Sequence, residues 1–298
     1  AKVILMSHLD PQNEGFVEPR FSLEKIAQHL SDILGQDVEK TDNCIGPETR
    51  VKAENLKGGA VLLLENLRFH KGEASNTPQF AERLAELGDI YINDAFSVCH
   101  REHASIVSVP KILPHGAGLL LQKEIDSLSR IMNNPEHPMI ALIGGMKVKT
   151  KVKFVENISA LADLVIVSGP VKKEIMEEKI KFSAPEKTIG PEENLLALDI
   201  DGKTIKSFAE KISGAKTVLW NGPFGKFEDE NYKKGTLALA KAIIGSGAFS
   251  VAGGGETVEF LDKENLIGKF SHVSLGGGAM LEYLSGEKLP GLEVLERE

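Results

Sequence analysis

Five strand-like runs from residue 139 onward each end at glycine: MIALIGG, DLVIVSG, KTVLWNG, FSVAGGG and HVSLGGG. In a parallel sheet the strand ends lie on one edge, so such loops converge on one crevice. Glycine there lets backbone N–H groups and helix N-termini approach a phosphate with no Cβ between them. Neither GxxxxGK[ST] nor GxGxxG occurs, which argues against a P-loop or a dinucleotide fingerprint. In GGMKVKTKVK, a helix beginning near Met146 sets Lys147 and Lys151 at i, i+4 on one side and Lys149 and Lys153 on another. Lys147 lies nearest the strand end and Lys151 one turn above it, so that pair is assigned to phosphates. Cations in a first turn oppose the helix dipole, and an anionic ligand accounts for them better than a solvated helix start does.

WNGPFGKFE offers Trp220, Pro223 and Phe227 as apolar lining and Glu228 as an acceptor for ribose hydroxyls; a Pro-Gly turn with a solvated Glu is the plain alternative. In AGGGETV, Glu256 and Thr257 open a helix, where they suit Mg²⁺ on a nucleotide. A first-turn glutamate favoured by the helix dipole explains Glu256 equally well. The first half of the chain carries a basic set in three motifs, SHL, ENLRFHKGE and NDAFSVCHREHAS: His8, Arg68, His70, His100, Arg101 and His103. Forked arginines with histidines suit a small substrate bearing phosphate and carboxylate groups, and Arg68 and Arg101 are favoured as ligands. Each histidine taken alone is better explained as structural. CHREH lacks the spacing of a zinc pair, and the sequence supplies no evident partnering carboxylate.

Short strands alternating with amphipathic helices position these motifs, the pattern of α/β architecture with parallel sheets. The run KVILMSH is a strand and FSLEKIAQHLSDILG a helix opened by Ser22, with Ile26, Leu30 and Ile33 on one face. AVLLLEN and DIYINDAF are further strands around the helix TPQFAERLAELG. The run LLLQKEIDSLSRIMNN is a long helix, and NNPEHP after it is the best boundary in the chain. The interval Pro170–Asn194 holds one charged helical piece and a Pro-rich loop, too little for a complete strand–helix–strand return. At 298 residues, with about 100–200 residues per domain, two domains are expected. Acidic residues number 43 against 35 basic, a net charge of −8, which argues against general nucleic-acid or membrane-surface binding. Two cysteines make no disulfide framework, and no apolar run approaches a membrane span, so a cytoplasmic protein is expected.

The ordered set SHL, LLLENLRFHKGE, NDAFSVCHREHAS, GAGLLLQKE, GGMKVKTK, WNGPFGKFE, GGGETV and SHVSLGGGAMLEYL resembles the phosphoglycerate kinase family. The resemblance implies two Rossmann-like lobes with parallel sheets joined by a connecting helix, closing about it during phosphoryl transfer. On that pattern residues 1–116 are the phosphoglycerate lobe, 117–137 the connecting helix and linker, 138–285 the nucleotide lobe and 286–298 a tail. The implied ligands are 3-phosphoglycerate or 1,3-bisphosphoglycerate and ADP or ATP with Mg²⁺, in a monomer. Carried over, His8, Arg68, His100 and Arg101 match the substrate side. Lys147 resembles the lysine that stabilises the phosphoryl group in flight, with Gly276, Gly277 and Gly278 at the helix start facing it. Lys151, Asn221, Pro223, Glu228, Gly254, Gly255, Glu256 and Thr257 match the nucleotide side, Glu256 also as metal ligand.

Four departures from the family pattern stand out. The family's first strand and its arginine- and aspartate-bearing segment would precede Ala1. SHLGRP reads SHLDPQ, so Asp10 replaces a glycine and the loop arginine is missing. After VSG, a helix and strand that wall the adenine site are not found, and GGGD reads GGGE. The first and third are expected to reflect segments absent from the sequence as given. Two other readings stand beside the family's: a catalytically inactive nucleotide-binding homologue, and a different small-molecule kinase.

Overall fold

The computed structural model describes residues 1–9, 15–145, 148–180 and 182–296, so Asp10 and Lys147 lie outside the described residues. The chain divides into two compact units. One holds Ala1–Asp94, Val98–Gly118 and the residues from Leu289 onward; the other holds Ala95–Ser97 and Leu119–Lys288.

In the first unit, β1 (Val3–Leu5) is followed by α1 (Glu24–Leu34), β2 (Val38–Lys40), α2 (Pro47–Asn55) and β3 (Val61–Leu63). Then come α3 (Lys71–Ala74), α4 (Pro78–Ala85), β4 (Tyr91–Asn93) and β5 (His115–Ala117). The strands form a parallel sheet of order β1-β3-β2 and a separate parallel pair, β4-β5. The buried row of α1 is not the expected one. Leu23, Ala27 and Leu30 pack toward β2 and β3, whereas Ile26 and Ile33 are 44% and 66% exposed. Both rows have i, i+4, i+7 spacing, and the one continuous with the buried Leu23 at the helix entry faces the sheet.

In the second unit, α5 (Leu119–Asn133) leads into β6 (Met139–Ile143), α6 (Val148–Ser159), β7 (Leu164–Val167), α7 (Gly169–Glu177), β8 (Thr188–Ile189) and α8 (Gly202–Ile212). There follow β9 (Thr217–Asn221), α9 (Lys234–Ser246), β10 (Phe249–Gly253), α10 (Gly255–Lys263), β11 (His272–Ser274) and α11 (Gly278–Leu284). The six strands are parallel, in the order β11-β10-β9-β6-β7-β8. Strands β6 and β9 are buried along their whole length, as central strands covered on both faces must be. Leu142, Trp220, Leu239, Ile243 and Phe260 belong to the core on one side of the sheet. The register places Ile143, Asn221, Gly253 and Ser274 in one row, so four loops leave the carboxyl edge level with one another.

Three expectations change. The interval after β7 does complete a strand–helix–strand return, through α7 into a β8 of only two residues paired to Val165 and Ile166. The helix expected as a connector counts wholly with the second unit. It buries Leu121, Leu128 and Ile131, and Glu124 accepts a hydrogen bond from Leu275 N–H (2.9 Å) and pairs with His272 Nε2 (2.8 Å). The expected tail is instead part of the first unit. Gly291 N–H donates to Cys99 O (2.9 Å) at the start of α12 (Pro290–Glu293), and Leu289 and Val294 are buried.

Candidate functional site

The second unit builds its half of the site on the level row of strand ends. Gly144 N–H donates to Asn221 O and Gly145 N–H to Pro223 O, both at 2.8 Å, which ties the loop after β6 to the loop after β9. Asn221 Nδ2 donates to Gly253 O (3.0 Å), and Gly222 N–H donates to Thr257 Oγ1 (2.7 Å), tying the loop after β9 to β10 and α10. Asn221 and Thr257 are thus buried latches between loops, 3% and 0% exposed. Lys151 is also buried, with Nζ donating to Gly144 O, one turn into α6 as its spacing suggested. Gly145 shows why no other residue fits there. Its φ is +84°, and a Cβ would lie 2.8 Å from Lys151 Nζ and 2.9 Å from Glu256 Oε2. A cation and a carboxylate therefore reach the same point above the glycine pair.

Glu256 is half-buried in the first turn of α10, behind Gly254 (φ +96°) and the exposed Gly255. Gly276 is buried, Gly277 half-buried and Gly278 exposed, and α11 starts at Gly278. A groove of about 350 Å³ opens between Gly254–Gly255 and Ser274–Leu275. Pro223 is buried and Glu228 exposed, on a segment whose Phe227 packs edge-on to Phe260. A smaller cavity beyond β7 is lined by Gly169, Pro170, Asn194, Leu195, Asp199 and Phe224. Burial raises the Asp199 carboxyl above its ordinary range, although it accepts hydrogen bonds from the N–H groups of Gly235 and Ile200.

The first unit gathers part of the expected basic set. His8 follows β1, Arg68 sits on the 3₁₀ turn Leu67–Phe69 after β3, and His103 opens the turn Ala104–Ser108. The rings of His8 and His103 lie 5.4 Å apart. Arg68 is 6% exposed, whereas Arg101 is exposed and His100 half-buried. The ring beside His8 is therefore that of His103, a residue absent from the family carry-over. Two further residues, both inside the motif ENLRFHKGE, were assigned no role from the sequence. Asn66, fully buried, accepts from Leu9 N–H and Arg68 N–H and donates to Leu9 O and Phe21 O, fastening the loop after β1 to the arginine turn. Glu73, also fully buried, accepts from Ser105 N–H (3.0 Å) and Ser105 Oγ (2.5 Å) and lies 2.5 Å from His8 Nε2.

Burial pushes the His103 imidazole down to about 4, with Arg68 adding to the effect, so the ring is neutral at neutral pH. Burial works to raise the Glu73 carboxyl, but hydrogen bonds from His8 and Ser105 outweigh it and hold it below the usual range. His8, Glu73 and His103 bring potential metal-ligating atoms within 4.8 Å of one another. The carboxylate is already engaged by Ser105 and His8, and the positive field of Arg68 and Arg101 on His103 opposes a dication. Glu73 is hydrogen-bonded to His8 and Ser105, while His103 Nδ1 stands 3.9 Å from its Oε1.

The family model described as phosphoglycerate kinase matches residues 1–179 and 170–287. The chain belongs to the phosphoglycerate kinase family. Members of that family are phosphotransferases with a carboxyl group as acceptor. The two matched stretches overlap over 170–179, through most of α7 and just past its end, where the sequence lacks part of the family pattern. Phosphoglycerate kinase from Moorella thermoacetica is 38% identical over 340 residues, covering 99% of this chain and 86% of that protein. The one from Borreliella burgdorferi (strain ATCC 35210) is 36% identical with the same coverage. Among solved structures, phosphoglycerate kinase from Coxiella burnetii superposes with a TM-score of 0.83 at 34% identity, and that from Pyrococcus horikoshii OT3 with 0.88 at 32%. Each covers 99% of this chain and 86% of the solved chain. The two-lobed α/β fold with parallel sheets is that of the family.

Proposed function

We propose that the chain carries out reversible phosphoryl transfer between 1,3-bisphosphoglycerate and ADP, giving 3-phosphoglycerate and ATP, a reaction of glycolysis and gluconeogenesis. The observation that carries this reading is the level row of glycine loops with Lys151 and Glu256 converging on Gly145. In this reading the first unit takes the phosphoglycerate through His8, Arg68, His100 and Arg101, with His103 added to that set. The second takes the nucleotide phosphates on Lys151 and the loops at Pro223 and Gly254–Thr257, and the ribose on Glu228. Asn221 and Thr257 support that half by holding its loops.

An oxygen of the ADP β-phosphate attacks the acyl phosphorus, and the carboxylate of 3-phosphoglycerate leaves. Both oxygens are anionic in their free forms, so no general base is required. Catalysis then consists of alignment and charge neutralisation. Lys147 and the N–H groups at Gly276–Gly278 are assigned to the phosphoryl group in transit. Glu256 fits Mg²⁺: it is a half-buried hard-oxygen donor, and the ion characteristically takes one or two carboxylates together with substrate phosphates. When bound, Mg²⁺ would supply charge neutralisation on the nucleotide phosphates. The protein is read as a cytoplasmic monomer, and no helix among the described residues is long and apolar enough to cross a membrane.

The test is ATP formation from 1,3-bisphosphoglycerate and Mg-ADP in a coupled assay, with calorimetric ADP binding alongside. Turnover that 3-phosphoglycerate suppresses competitively supports the reading. ADP binding without turnover would make the chain an inactive nucleotide-binding relative.

A further inference from the structure

We propose that Glu73 is a positioning residue for the phosphoglycerate half-site, acting through His8; this rests on the reaction assigned above. Glu73 projects from α3, is fully buried, and joins three segments distant in sequence: the loop after β1 at His8, its own helix, and the turn that opens at His103. Its two oxygens do different work. Oε2 accepts from Ser105 N–H and anchors the turn, while Oε1 meets Ser105 Oγ and His8 Nε2, both at 2.5 Å. With Nε2 engaged by the carboxylate, Nδ1 is the remaining ring atom through which His8 can donate to an anionic substrate. A ring that donates from both nitrogens is an imidazolium. His103 does not replace this function, because burial and Arg68 keep it neutral. One buried carboxylate thus fixes the orientation of a histidine assigned to the substrate side without touching substrate.

Glu73→Gln keeps the shape, removes the charge and turns an amide N–H toward one of the donors. The expected result is a KM for 3-phosphoglycerate raised about tenfold, with kcat and the KM for ATP changed less than about twofold. In a His8→Ala background the same substitution should have no further effect on that KM. Ser105→Ala, which keeps the contact between Glu73 and His8, should lower Tm while leaving the KM near wild type. The proposal is overturned if Glu73→Gln lowers only Tm, raises both KM values alike, or acts equally with His8 removed. Should Glu73→Gln fail to fold, the His8 ring in the wild-type protein decides. Nitrogen NMR is expected to show Nε2 protonated from pH 6 to about 8, and an unprotonated Nε2 overturns the proposal. A wild-type protein without kinase turnover would defeat the assigned reaction, whereas the NMR measurement would still decide the contact between Glu73 and His8.

Discussion

Lys147 and Lys151 sit four residues apart but are assigned different tasks, and substitution separates them. Lys147→Ala should cut kcat about a hundred- to a thousandfold with ADP affinity little changed, by analogy with loss of one preorganised oxyanion donor. Lys151→Ala should weaken ADP binding and also lower Tm, because its amine holds the Gly144 carbonyl. Steady-state kinetics with calorimetric ADP titration distinguishes them, and the opposite pattern would exchange their roles. The histidines carry a pH signature. His103, held near 4, and His70, lowered by burial, remain neutral in the fold at pH values where the unfolded chain takes up protons. Their contribution to stability is therefore complete above about pH 6.5 and lost as pH falls toward 4. Glu73, held below the usual carboxylate range, adds a further loss as pH drops through its lowered value. Urea midpoints measured from pH 8 to 4 should fall along this course, and His103→Gln should flatten the upper part of the decline.

At the scale of elements, the site depends on loops being latched to one another. Thr257→Val keeps the volume but removes the acceptor for the buried Gly222 N–H, and should cost about 1–3 kcal/mol in urea denaturation. A loss below about 0.5 kcal/mol would show that the latch is dispensable. Much of this half-site was legible in the sequence. The runs ending at Gly145, Gly222, Gly255 and Gly278 announce strand ends, and Lys151 lies in the first turn of the helix that follows the first of them. The other half was less legible for a physical reason. Glu73 meets His8 across 65 positions and Ser105 across 32, and Asn66 meets Leu9 across 57. No local period encodes such pairings. CHREH read as lacking a carboxylate partner because that carboxylate lies thirty residues upstream. The α1 face was misread because two rows share one spacing, and β8 was missed because two residues between Pro185 and Pro191 carry no periodicity at all.

For the whole molecule, the segment from Leu289 belongs to the unit that also contains Ala1. Ending the chain after Lys288 removes the buried Leu289 and Val294 and the hydrogen bond from Gly291 to Cys99. Hydrogen exchange should then quicken in β3 and α4 while β6 and β9 remain protected; equal loss in both units would contradict the division. This return of the chain also bears on its synthesis. A ribosome delivers residues in order, and domains generally fold as they emerge. The second unit can close once Lys288 has left the exit tunnel. The first, although begun earlier, must wait with an open seam until α12 arrives, so of the two units the one begun first is completed second and needs chaperone cover for longer.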